Sequence, residues 1–173
     1  MINYILKIIL LTIIISVNSN AQTINSIVVT GNKRISTETI IMFSDVNKSD
    51  VNEQEINTIL KNLYNTNFFE NVEVSISDNL LTIKVKENPI INNIVIEGVK
   101  SAKIQDFILD NIYFKPRYSY NTYYIKEDKI KVSSFLKDLG YYFSEIDILT
   151  ELNENKNQIN LIYKIDLGKK AKI

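Results

Sequence analysis

The chain has 173 residues, 20 Lys and Arg balanced by 20 Asp and Glu, and 45% hydrophobic side chains. That length suits one or two small domains with real cores. A net charge of zero argues against a nucleic-acid partner, which asks for a strong basic excess. With neither Cys nor His, the chain cannot build the usual zinc sites, thiol redox chemistry, a cysteine nucleophile or a Ser-His-Asp triad.

Residues 1–21 read as a signal peptide. Lys7 is the one charged side chain there, and Ile8 to Val17 is apolar apart from Thr12 and Ser16. Ser19 and Ala21 put small residues where a signal peptidase needs them. The apolar stretch is short for a membrane span of about 20 residues.

Next comes a β-branched run, Ile24 to Val29, stopped by the turn pair Gly31-Asn32. Ser36 or Thr37 can cap a short helix through Phe43. Asp50, with Glu53 three residues on, fits a capping box for a second helix. That helix sets Ile56, Ile59, Leu60 and Leu63 on one face and ends at Asn65-Thr66-Asn67. The apolar period then changes from 3.6 to 2. Val72, Val74 and Ile76 alternate with Glu73 and Ser75; after Ser77-Asp78-Asn79, Leu81, Ile83 and Val85 alternate with Thr82, Lys84 and Lys86. This is a hairpin with one buried and one wet face.

The same order then repeats. Ile94 to Glu97 with Gly98 matches the first strand and its glycine, and Lys103 to Asn111 the short helix. A link from Ile112 to Asn121 contains Pro116. The second helix runs from Thr122 to Leu139, with Ile125, Asp128, Val132, Phe135, Leu136 and Leu139 along one side. Asp128 is the polar exception, read as lying at the solvated edge of the stripe. Gly140 ends the helix as a left-handed cap. Ile146 and Ile148 alternate with Glu145 and Asp147; after a turn at Asn153 to Asn157, Ile159, Leu161, Tyr163 and Ile165 face inward.

The expected fold is therefore α+β: two tandem β-α-α-β-β modules, each a three-stranded mixed sheet covered by two helices. The boundaries fall at 22–90 for the first module and 91–168 for the second, with 169–173 as a linker or the start of a truncated third. Nothing in the composition calls for a cofactor, metal or nucleotide. The acidic residues form no paired-carboxylate constellation, so no catalytic residue is assigned. Tyr118, Tyr120, Tyr123 and Tyr124 cluster near Pro116, either as packing between modules or as an exposed patch.

The run Leu63-Tyr64-Asn65-Thr66-Asn67-Phe68-Phe69 resembles the Leu-Tyr-x-Thr-Gly-x-Phe stretch of POTRA modules in the Omp85 superfamily, the N-terminal periplasmic part of outer-membrane assembly factors of the BamA kind. Asn67 stands where that family has Gly, a mild departure because both tolerate the left-handed conformation. Leu139-Gly140-Tyr141-Tyr142 and the link Glu87 to Ile94 resemble the family too. The resemblance implies a periplasmic chain, attached to the outer membrane if a C-terminal barrel follows. Its implied partners are unfolded outer-membrane proteins and other subunits of an assembly complex. It implies peptide docking on the second strand of each module, here Asn71, Val72, Glu73, Val74, Ser75 and Ile76, and Glu145, Ile146, Asp147, Ile148 and Leu149. A two-partner-secretion or TamA-like transporter shares this module arrangement. An FtsQ-like division protein would join one such module to an uncleaved span. Mass spectrometry of the exported protein is expected to find Gln22 as its first residue; a retained Met1 would refute the signal reading.

Overall fold

A computed structural model describes residues 23–46 and 51–171. The signal segment and Asp50 lie outside these residues. Among those described, no helix is long and apolar enough to cross a membrane.

The first module runs β1 (Ser26–Thr30), α1 (Thr37–Ser44), α2 (Glu53–Asn65), β2 (Phe69–Ser77) and β3 (Leu80–Glu87). The second runs β4 (Ile90–Glu97), α3 (Ala102–Asn111), α4 (Tyr123–Asp138), β5 (Glu145–Asn153) and β6 (Gln158–Asp166), with a 3-10 turn at Glu154–Lys156. The sheets are ordered β1-β3-β2 and β4-β6-β5. In each, the last strand is central, parallel to the first and antiparallel to the second.

Local chemistry explains these elements. The Ser36 side chain accepts the Thr39 N–H at 3.2 Å and starts α1. The cap on α2 is Asn52, whose side chain accepts from Glu55 N–H at 3.0 Å. Glu53 is therefore the first helical residue rather than the far side of a capping box begun at Asp50. Asp78 and Asn79, at φ 50 and 62, form the two-residue turn between β2 and β3. Two left-handed residues match the twist of the flanking strands.

Two cores result. Ile40, Ile59, Leu63, Leu81 and Ile83 fill the first. Ile108, Phe114, Leu136, Leu161 and Tyr163 fill the second. Gly31 and Gly98 both sit at φ 84, and a Cβ on either would collide with the carbonyl of Val85 or Ile165. Only glycine lets the end of the first strand lie this close to the central strand.

Two carboxylates are buried. Asp128 is fully buried, not at a solvated edge. It accepts the Tyr113 N–H at 2.6 Å, the Phe114 N–H at 3.3 Å and the Tyr163 hydroxyl at 2.7 Å. It thereby fastens the link after α3 to the central strand β6. Burial first, and then the Asp128 carboxylate, drive the Tyr163 phenol well above its ordinary range, so it stays a donor.

Glu87 does the corresponding work in the first module. One oxygen, Oε1, accepts three successive backbone N–H groups, from Lys33, Arg34 and Ile35, at 2.9, 2.9 and 3.0 Å. Burial works to raise its pKa, but the three N–H bonds and the Arg34 guanidinium together hold it below the usual carboxylate value. A depressed pKa stabilises the fold above the ordinary value, and that contribution is lost as pH falls through the folded value. Glu87→Gln is expected to cost about 2 kcal/mol at pH 7. The deficit should shrink in acid, below about pH 4. Urea melts at both pH values check this, and a deficit independent of pH would contradict it.

Candidate strand-docking edges

Strand register decides which backbone groups are free. Ser77 and Leu80 flank the two-residue turn and are paired, so they exchange both of their hydrogen bonds. Counting back, Ser75 with Thr82 and Glu73 with Lys84 are also bonded pairs, while Ile76, Val74 and Val72 face Leu81, Ile83 and Val85 without bonds. The outward N–H and C=O groups of β2 therefore belong to Val72, Val74 and Ile76, the same residues whose side chains point into the core. A hydrogen bond on the far side verifies the parity: the Tyr64 hydroxyl accepts the Val72 N–H at 3.1 Å.

The parity of β5 follows from the central strand. The carbonyl of Ile165 faces Gly98, on the β4 side. Ile165, Tyr163, Leu161 and Ile159 thus spend their peptide groups on β4, and Lys164, Ile162 and Asn160 spend theirs on β5. The outward groups of β5 belong to Ile146, Ile148, Thr150 and Leu152. No hydrogen bond from their N–H groups to any other described residue is present.

The structure places all six residues singled out on the first module in β2, and all five on the second in β5. Both strands are sheet edges. Glu73 and Asp147 project from the outer face and pair with Lys84 at 3.2 Å and Lys129 at 3.0 Å. These ion pairs are exposed and worth little. β5 runs on through Thr150 to Asn153, beyond the stretch the sequence suggested. Alternation fails there because Thr150 is polar on the inward side and no helix covers Leu152, which is 53% exposed.

Thr150 and Leu152 open into a cleft of about 550 Å³ between the modules, lined also by Tyr64, Phe69, Pro89 and Tyr120. The start of one edge strand and the end of the other thus flank a single opening. A groove of about 420 Å³ lies between α3 and α4, over Phe107 and Phe135; their rings stack at 3.8 Å. The tyrosine cluster divides. Tyr124 stacks on Tyr113 at 3.5 Å and Tyr120 on Phe114 at 5.5 Å, while Tyr118 and Tyr123 stay exposed. Burial, then the neighbouring Tyr124 hydroxyl, pushes the Tyr113 phenol up to about 12.

The second first-strand edge is partly closed. Arg117 N–H donates to the Ile91 carbonyl at 2.7 Å, and Ile91 N–H to the Tyr118 carbonyl at 2.9 Å. The link around Pro116 thereby occupies the start of β4.

Polar side chains join the modules. Asn67, at φ 60, accepts from the Asn121 amide at 2.8 Å and donates to the Tyr124 hydroxyl at 3.3 Å. Its own carbonyl accepts from the Asn88 amide at 2.9 Å. Among the described residues, no group of three or more acidic, His or Cys side chains could hold a metal.

The sequence matches the POTRA family, surface antigen variable number repeat, over residues 22–88 and again over 89–168. The chain belongs to this family. Relatives include the outer membrane protein assembly factor BamA of Nitratidesulfovibrio vulgaris, 26% identical over 90% of this chain and 20% of the relative. The BamA of Neisseria meningitidis serogroup B is 30% identical over 87% of this chain and 19% of its own length. The chain thus spans about a fifth of these factors. Its fold is similar to the N-terminal domain of Omp85 from Thermosynechococcus elongatus, with a TM-score of 0.60 at 14% identity, covering 87% of this chain and 65% of that one.

Asn67 sits at φ 60, a conformation that glycine adopts freely, so Asn67→Gly keeps the backbone conformation and deletes two bonds between modules. Each module should stay folded while the pair rocks more freely. Residual dipolar couplings are expected to need two alignment tensors in the variant and one in the parent; a single shared tensor in both would show that Asn67 does not hold the junction.

Proposed function

We propose that this module pair binds unfolded outer-membrane barrel precursors by strand-edge pairing, as the periplasmic part of an outer-membrane protein assembly factor, alongside other subunits of that complex. The observation that carries this reading is the row of outward peptide groups on β5, from Ile146 to Leu152, with no partner among the described residues. Another extended backbone can replace water along such a row, and it does so with little regard to sequence. The relatives are named for outer membrane protein assembly. Each added bond contributes about 0.5–1.5 kcal/mol net, against the entropy of ordering the incoming chain. Docking of this kind is weak and reversible, as transfer of a precursor requires.

Thr150→Pro tests the reading. Thr150 is exposed, its N–H points away from β6, and proline is tolerated on an edge strand with that orientation. The variant should fold, at a cost of about 1 kcal/mol. Amide shifts on titrating a synthetic peptide of alternating Val and Thr are expected along β2 and β5 in the parent. They should be lost around Thr150 in the variant. Glu151→Gln, whose N–H bonds inward, should behave as the parent. Shifts confined to the groove over Phe107 and Phe135 would overturn strand-edge pairing.

A further inference from the structure

The two edges are not equivalent. Tyr64 leaves the last turn of α2 and lays its hydroxyl on the Val72 N–H at 3.1 Å. Val72 supplies the first of the three outward donors on β2. The hydroxyl does not arrive there by chance of rotation. Lys84 pairs with one oxygen of Glu73 at 3.2 Å, and the other accepts the Asn71 amide N–H₂ at 3.0 Å. A carboxylate accepts only, so it fixes which way the Asn71 amide points. The Asn71 carbonyl oxygen is then left for Tyr64, which must donate to it, at 3.3 Å. With its proton committed, the hydroxyl presents a lone pair to Val72. The chain Lys84–Glu73–Asn71–Tyr64 sets a polar side chain in the place of an incoming carbonyl.

The second module lacks this device. Tyr64 stands three residues before Asn67, at φ 60; three residues before Gly140, at φ 91, stands Lys137. Val72 pairs with Val85, whose carbonyl faces Gly31, and Ile146 pairs with Ile165, whose carbonyl faces Gly98. Ile146 is therefore the counterpart of Val72. An ammonium has donors and no acceptor, so Lys137 cannot satisfy the Ile146 N–H.

We propose that the Tyr64 hydroxyl is a plug on the first module's edge: it confines an added strand on β2 to Val74 and Ile76, and makes β5, whose N–H groups from Ile146 to Leu152 have no partner among the described residues, the principal landing edge. This rests on strand-edge pairing as the mode of binding. The occupant is an extended polypeptide backbone, because what Tyr64 mimics is a peptide carbonyl. Two further outward residues on β5 correspond to binding there at roughly fivefold lower peptide concentration, or better.

The test is Tyr64→Phe in the two-module chain, with the alternating Val and Thr peptide as probe. The ring is kept and the hydroxyl is exposed to solvent, so the fold should not change; β5 serves as the internal control. In the free protein, Val72 N–H should be more protected from hydrogen exchange than Val74 and Ile76, and the variant should lose that protection. With peptide, the shifts on β2 should extend to Val72 and binding there should tighten by about threefold to tenfold, with β5 unchanged. Asn71→Ala, which frees the hydroxyl to turn, should move β2 in the same direction by less. If Val72 in the parent exchanges as fast as Val74, or if the variant binds at β2 as the parent does while β5 still binds, the plug is refuted and strand pairing stands. If neither edge shifts in either protein, strand pairing itself is refuted.

Discussion

In a three-stranded sheet the central strand serves two neighbours, and its peptide groups must alternate between them. β3 and β6 hold this position, and much of the rest follows from it. Odd residues of β3 face β1 and even ones face β2. The carbonyl of Val85 therefore reaches the end of β1, where only a glycine fits beside it. The same alternation decides which residues of β2 bond inward and which are left facing out. Because side chains also alternate with period two, the free N–H groups fall on the residues whose side chains are buried. The edge can thus be engaged at Val74 or Ile76 by backbone alone, with the acidic side chains of Glu73 and its neighbours standing clear of the pairing direction.

Each module places one buried carboxylate where its chain must be tied down, but not at the same place. Glu87 ends β3 and gathers the loop after β1. Its counterpart two residues beyond Ile165 is Leu167, which cannot do this. The second module instead uses Asp128, on a helix, to hold the link after α3 against β6. Burying a carboxylate costs several kcal/mol unless donors surround it. Each finds three. The divergence fits a repeat in which the sheet is shared while the loops are secured independently.

The sheets and helices were legible in the sequence because their signals are local. Alternation marked Val72 to Ile76 and Ile159 to Ile165, the glycines marked the first strands, and the 3, 4, 7 spacing marked α2. What stayed hidden depends on partners far away along the chain. Asp128 interrupts an apolar stripe, and a stripe alone cannot tell a solvated edge from a buried acceptor. The donors that decide it are 14, 15 and 35 residues away. The Asn52 cap was obscured by Asp50, which has the better-known capping-box spacing to Glu53. Tyr64 lies within the run that resembles the family's motif, yet its contact depends on Val72 N–H facing outward. That parity follows from the two-residue turn at Asp78-Asn79, so the signal was present though indirect.

A sheet edge with free peptide groups also invites a second copy of itself. Antiparallel self-pairing of β5 would bring its outer-face Glu145 and Glu151 against the same acids of another molecule, Asp147 being already paired with Lys129. Like charges directly opposite one another destabilise a sheet. A foreign strand with hydroxyl or basic side chains on that face escapes the penalty and gains the same backbone bonds. On β2 the exposed acids are Glu70 and Glu73, and Lys86 and Lys84 already neutralise them. Charge protects that edge poorly, and a hydroxyl on its first donor is the other available means. The two modules thus guard equivalent strands by different physics, one by repulsion and one by occupancy. Repulsion leaves the backbone free for a different partner, whereas occupancy removes a donor from every partner alike; of the two edges, the repelling one is better suited to general capture.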